Sequence, residues 1–305
     1  LYKIMLKKIY CVFSYECNNN CLHCAVDSEK NRSKIITNQN IDKFIDSLKN
    51  EGDFELEISG GEPTCKKEFL YYIEKIVQKY PKTRYIVLSN GRNFSNKWLA
   101  EKLAELNPFS VLIPLHADTA EIHDQISQAL GSFEETLQGI ENLYECGVRV
   151  GLKTVIHKIN YKRMPQLIEL VSRRFPNCPG ITINGLDMQG KALENEKLVG
   201  VRIRETIPYI EAAIDAANNN GIRIAVYSIP PCLMREKYRK YIGLKHRSNV
   251  ITKTPNSDML KMKLMYGTVE KCKGCVYYKT CTGTWYSYFD QYGTDEIKPI
   301  RQNND

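Results

Sequence analysis

From about residue 9 to residue 185, short β-branched or apolar runs alternate with longer amphipathic stretches, and this pattern limits the possible folds more than any other feature of the chain. The runs predict strands at Ile9–Ser14, Glu55–Ser59, Tyr85–Ser89, Ser110–Leu115, Arg149–Ile156 and Gly180–Asn184. Helices are expected between them, at Asn38–Lys49, Lys67–Lys79, Asn96–Glu105, Phe133–Glu145 and Met164–Arg174. Pro81, Pro108 and Gly147 stand just past helix ends, where stop signals belong. Repeated βα units imply a parallel sheet with helices outside it, open or curled into a barrel, whose ligands collect at the carboxyl ends of the strands. A further helix, Arg204–Asn218, and a strand, Arg223–Tyr227, close this unit. After Pro230–Pro231 the chain turns to lysine, tyrosine and cysteine with little periodicity, as in a small metal-stapled domain.

Composition excludes several classes. No apolar run approaches the roughly 18 residues a membrane span needs, and the lysine-interrupted start does not resemble a signal peptide, so the expected compartment is the cytoplasm. A net charge of +8 over 305 residues is modest. No basic run with interleaved aromatics points to dedicated nucleic-acid binding. Eleven cysteines in such a setting argue for metal rather than disulfides.

Seven of those cysteines form two groups. Cys17-Asn-Asn-Asn-Cys21-Leu-His-Cys24 follows the first strand, and three thiolates leave one metal position without a protein ligand. Zinc, with His23 as fourth ligand, is the competing reading. The CxxxCxxC spacing resembles the signature of the radical S-adenosylmethionine (radical SAM) superfamily. That resemblance implies a partial (β/α)6 TIM-type barrel over residues 1–227. It further implies a [4Fe–4S] cluster on Cys17, Cys21 and Cys24, and S-adenosylmethionine (SAM) cleaved to a 5′-deoxyadenosyl radical.

Supporting motifs stand at the other strand ends. Ser59-Gly60-Gly61-Glu62-Pro63 resembles the family's GGEP motif, whose glycines permit close backbone approach and whose Glu62 is expected to accept from the SAM ammonium. Ser89-Asn90-Gly91 resembles its TNG-type turn. His116 ends the fourth strand where relatives usually carry Asp, and ribose contact, proton donation and a plain buried histidine all stay open. His123-Asp124 and Gly131-Ser132-Phe133 match a layout of peptide-modifying members. Lys153 is expected either to face the SAM carboxylate or to point outward into solvent, and the stretch Gly185–Ala192 resembles the loop near adenine.

Cys272, Cys275 and Cys281, with Cys232 upstream, suit a second [4Fe–4S] cluster or zinc. Beside the first motif they resemble a SPASM or twitch domain, which implies one auxiliary [4Fe–4S] cluster over residues 228–305. The expected substrate is a peptide or protein, cross-linked, given a thioether or oxidised, with flavodoxin or ferredoxin as reductant. Only 16 residues precede Cys17, so a leader-binding domain is expected on a separate partner. The alternatives are a small-molecule dehydrogenase or rearrangement enzyme and, outside catalysis, a structural iron or zinc scaffold.

Overall fold

A computed structural model of the chain describes residues 7–26, 28–31, 36–50, 53–243, 250–251 and 266–302. Its strands are β1 (Lys7–Ser14), β2 (Phe54–Gly60), β3 (Arg84–Leu88), β4 (Ser110–Pro114), β5 (Val150–Ile156), β6 (Ile181–Gly185), β7 (Ile224–Tyr227), β8 (Val250–Ile251), β9 (Tyr266–Gly267) and β10 (Thr284–Trp285). Helices α1 (Ser28–Asn31), α2 (Asn38–Ser47), α3 (Phe69–Lys79), α4 (Lys97–Glu105), α5 (Ala120–Ser127) and α6 (Ser132–Glu145) fall among the first five strands. Then come α7 (Met164–Arg174), α8 (Lys191–Glu194), α9 (Glu196–Val199), α10 (Ile203–Asn219) and α11 (Tyr286–Tyr292).

The main sheet runs β7-β6-β5-β4-β3-β2-β1-β8 with every pair parallel. From β1 to β7 neighbours in the sheet are neighbours in the chain, so each βα unit steps in the same direction. Right-handed crossovers then place the helices on one face, and the curling sheet encloses the other as a partial barrel. Along β5 the burial alternates: Leu152, Thr154 and Ile156 are buried, while Gly151, Lys153 and Val155 are partly open. The core lies outside the sheet, where Ile9, Phe13, Leu56, Ile58, Val87, Val111 and Ile113 meet Ile73, Leu103, Leu137, Leu143 and Ile168 of the helices.

Local signals agree with these bounds. Thr37 and Asn40 form a reciprocal capping box at the start of α2, and the Asn96 side chain caps α4. The strand β8 was not expected. It pairs with β1, Lys8 opposite Val250 and Ile9 opposite Ile251, and covers an edge whose backbone groups would otherwise lack partners. Antiparallel β9–β10 and α11 form the C-terminal unit, held to the barrel where the Ile203 N–H donates to the Tyr288 hydroxyl at 2.9 Å. Among the described residues, no helix is long and apolar enough to cross a membrane.

Candidate functional site

The carboxyl ends of β1 to β5 surround a cavity of about 280 Å³. Cys17, Cys21 and Cys24 line it, together with Gly60, Gly61, Ser89, Asn90, His116 and Lys153 from four other strand ends. Burial pushes the Cys17 and Cys21 thiols up to about 12, and the neighbouring cysteines add to the shift. Thiols so raised are held neutral by burial, and iron binding there would displace their protons. Among the described residues no three His, Cys, Asp or Glu side chains are arranged around a single metal ion. An iron–sulfur cube instead offers each thiolate its own iron, over a wider spacing.

The asparagine run between the cysteines is anchored on every side. Asn20 and Leu22 N–H groups donate to the Ser127 and Ile126 carbonyls at 2.9 and 3.0 Å. Asn90 Nδ2 donates to Asn18 Oδ1 at 2.6 Å, and Asn18 Nδ2 to Asn93 Oδ1 at 3.1 Å. Arg92 donates to the Asn18 carbonyl and, at 2.8 Å, to Asn19 Oδ1, while Glu135 receives its Nε at 2.5 Å. Arg92 was not foreseen, because its partners lie more than 40 residues away in the chain.

Gly60 and Gly61 are required by close approach. A Cβ on Gly60 would lie 2.2 Å from the Ser14 carbonyl oxygen, and one on Gly61 2.3 Å from that of Glu16. Glu62 and Pro63 are both buried and are not among the cavity-lining residues. The Glu62 carboxylate is occupied within the protein. Oε1 accepts from Thr64 Oγ1 at 2.6 Å, Thr64 N–H at 3.1 Å and Ser89 Oγ at 2.9 Å, and Oε2 accepts from Asn90 N–H at 2.6 Å. It thus ties the β2 end to the β3 end, and the cavity floor is presented by the glycines and by Ser89–Asn90.

Four imidazoles meet at the same end of the barrel. Ring centroids lie 4.6 Å apart for His23–His116, 5.1 Å for His23–His157 and 5.9 Å for His116–His123. The Nδ1 atoms of His23 and His116 and Nε2 of His157 are buried without a hydrogen-bond partner among the described residues. Burial holds His116 and His157 well below 6.5 and His123 at about 4. Lys153 reaches into the barrel, where burial lowers its amine below the usual 10.5 against the opposing influence of Glu57. The expectation that Lys153 points outward is therefore set aside. His157 was missed, although its place just after β5 mirrors that of His116 after β4. Asp124 turns away from the cavity to accept from the Gly131 and Phe133 N–H groups at 2.7 and 2.8 Å, capping α6.

Cys232, Cys272, Cys275 and Cys281 line one further cavity, with Pro230, Pro231 and Gly267. Burial raises the Cys281 thiol to about 11, and its Sγ accepts from the Gly283 N–H at 3.1 Å. The described geometry brings all four expected thiols together. Of the other cysteines, Cys11 is buried in the core and Cys146 and Cys178 pack against it. Cys65 lies 3.8 Å from Asn93 Nδ2 and is not among the lining residues of the first cavity.

Residues 11–171, more than half of the chain, match the family model described as the radical SAM superfamily. Mycofactocin maturase MftC of Mycobacterium tuberculosis is 28% identical over 161 residues, covering 52% of this chain and 40% of that protein. Fe-coproporphyrin III synthase of Methanosarcina barkeri is 28% identical over 217 residues, covering 70% of this chain and 53% of its own length. The chain thus spans about half or less of these relatives. Among solved structures, native anSMEcpe with bound AdoMet and Cp18Cys peptide superposes with a TM-score of 0.67 at 15% identity, covering 97% of this chain and 93% of that one. Its likeness supports the partial-barrel fold reached above from strand order. Strand order, the cysteine spacing after β1 and the family match converge: this chain belongs to the radical SAM superfamily.

Proposed function

We propose that this chain cleaves SAM reductively at a [4Fe–4S] cluster held by Cys17, Cys21 and Cys24 and abstracts hydrogen from a peptide, leading to a cross-link, a thioether or an oxidised residue. The observation that carries the reading is the convergence of three thiols, two close-approach glycines and unpartnered imidazole nitrogens on one cavity at the strand ends. Family membership implies SAM and a [4Fe–4S] cluster and sets aside the scaffold reading. When bound, that pair supplies a 5′-deoxyadenosyl radical.

The chain's own residues shape where this happens. Gly60 and Gly61 let the β2 end pack against the Ser14 and Glu16 carbonyls, which leaves their backbone lining the cavity for the methionyl end, with Ser89 and Asn90 beside them. Lys153 offers a cation to a carboxylate, and His116 a hydrogen bond to the ribose. Glu62 acts at one remove, by fixing the turn that carries Ser89 and Asn90. Cys232, Cys272, Cys275 and Cys281 would hold one auxiliary [4Fe–4S] cluster in a unit spanning 228–305, beside a core of 1–227.

A peptide substrate is supported by the names of the relatives: MftC is a maturase, and anSMEcpe was solved with a peptide. A small molecule is the second reading, favoured by the 70% of this chain that matches Fe-coproporphyrin III synthase. A flavodoxin or ferredoxin reductant, a separate leader-binding protein and a cytoplasmic setting complete the proposal.

Anaerobic reconstitution, then SAM and a strong reductant, should yield 5′-deoxyadenosine. A Cys17→Ala/Cys21→Ala/Cys24→Ala variant should yield none. Iron analysis should approach about eight atoms per chain. Four would remove the auxiliary cluster, and a cluster-loaded parent without SAM cleavage would remove the enzymatic reading.

A further inference from the structure

The segment from the end of β6 through α9 touches the first cysteine motif on one side and, on the other, the stretch of the C-terminal unit that follows Cys281. On one side, Trp285 Nε1 donates to the Gly185 carbonyl at 2.8 Å. Ser287 Oγ donates to Asp187 Oδ1 at 2.6 Å and accepts from the Met188 N–H at 3.0 Å. Trp285 and Ser287 follow closely on Cys281, whose sulfur is tied to Gly283 in the same turn.

On the other side, the Lys191 N–H donates to the Cys24 carbonyl at 3.1 Å, and Asn195 Nδ2 to that of Leu22 at 3.0 Å. A Cβ on Gly190 would lie 2.7 Å from the Cys24 carbonyl oxygen, so the two backbones are in direct contact. Between these ends the segment carries its own small core of Leu186, Met188, Ala192 and Val199. Leu22 of the first cysteine motif packs against that core, and so does Tyr292 of α11. The same core packs against Val155 and Ile159, and the Lys158 N–H donates to the Val199 carbonyl at 3.0 Å, so the segment is seated on the β5 end of the barrel while joining Ser287 on one side to Cys24 on the other.

We propose that this segment is a strut through which the C-terminal cysteine unit positions the first cysteine motif, with Ser287 and Asp187 as its latch. The juxtaposition is independent of what either cysteine site binds. Its consequence for catalysis rests on the function proposed above.

The test uses the full chain, anaerobically reconstituted, as parent, Ser287→Ala and Ser287→Thr. Amide hydrogen exchange is followed in segments 17–26 and 185–195, with β3 as internal reference. The electron paramagnetic resonance spectrum of the reduced protein with SAM is recorded in parallel. Ser287→Ala should speed exchange by about tenfold or more in both segments at once, leave β3 unchanged, and alter the spectrum. Ser287→Thr, which keeps the hydroxyl, should restore exchange and spectrum. Faster exchange confined to 185–195, with 17–26 and the spectrum as in the parent, would overturn the coupling. A parent without any cluster signal would count against the function proposed above, while the exchange arm would still decide for or against the strut.

Discussion

Glu62 is fully buried and accepts hydrogen bonds from Thr64, Ser89 and Asn90, yet burial still raises its carboxyl above the ordinary 4.5. Glu62→Gln keeps the shape but turns one acceptor oxygen into a donor, which then faces either the Asn90 N–H or the Thr64 and Ser89 donors. The expected loss is about 1–3 kcal/mol of unfolding free energy, from one buried donor left facing another. The pH dependence has a definite sign. Because the folded form binds its proton more tightly than the unfolded chain, Glu62 favours folding most in acid and loses that advantage as pH rises through the carboxylate range. The gap between parent and Glu62→Gln in urea unfolding should therefore narrow from pH 3.5 to pH 6, and a gap that widens would refute it. The motif was legible in the sequence, but its partners were not. Ser89 and Asn90 are brought to Glu62 by the pairing of β2 with β3, which no local pattern records. The same holds for Arg92, whereas His157 could have been found by reading the residue after each strand.

The helix α6 shows how an element serves the site without facing it. Gly131 at its N-cap is left-handed, φ 82°, and has no side chain, so the capping acceptor comes from Asp124, which also receives the Ser132 hydroxyl at 2.8 Å. Burial works to raise the Asp124 carboxyl, but the bonds from Ser132, Phe133 and Gly131 prevail and hold it below 3.8. Its stabilisation is therefore present at neutral pH and lost as pH falls through the carboxylate range. The capped helix cradles the turn after β3: Thr136 Oγ1 donates to the Asn90 carbonyl at 3.1 Å and Asn142 Nδ2 to that of Phe94 at 2.8 Å. Asp124→Ala should cost about 1–2 kcal/mol in denaturant unfolding at pH 7, within the range of lost caps, and Asp124→Asn less. A loss below a few tenths of that scale for Asp124→Ala would show that Gly131 caps alone. At this scale the sequence was a good guide. The strands β1 to β7 and the long helices fell within a few residues of expectation, since apolar periodicity and stop signals are local. The helix α5 and the strand β8 were missed. One is short and follows a histidine-bearing turn, and the other is two residues that pair with β1 from far along the chain.

Across the whole molecule, the barrel gathers distant strand ends, and that convergence concentrates groups whose protonation the fold resists. His116 follows β4, His157 follows β5 and His123 stands on α5, each less than 5% exposed. Burial lowers all three, helped at His116 by the neighbouring His23, His123, His157 and Lys153, and opposed at His123 by Asp124. The alternation of β with α made the barrel legible, and the strand-end rule made the cavity legible. The clustering of the rings was not, because it depends on sheet curvature. The sign of its effect on stability follows from the lowered values. The unfolded chain takes up these protons near pH 6.5, while the folded chain takes up that of His123 only near pH 4 and holds His116 and His157 well below 6.5, so the stabilisation is complete above 6.5 and drains away as pH falls below it. A tenfold loss of proton affinity on folding corresponds to about 1.4 kcal/mol, so His123 alone contributes on the order of 3 kcal/mol, a large part of a typical net stability of about 5–15 kcal/mol. Unfolding midpoints in urea should drop steeply between pH 6.5 and pH 4.5 for the parent. They should drop less steeply for His157→Gln, which keeps a polar side chain but cannot be protonated. Parallel curves for the two proteins would mean that the imidazole cluster is not what limits the fold in acid.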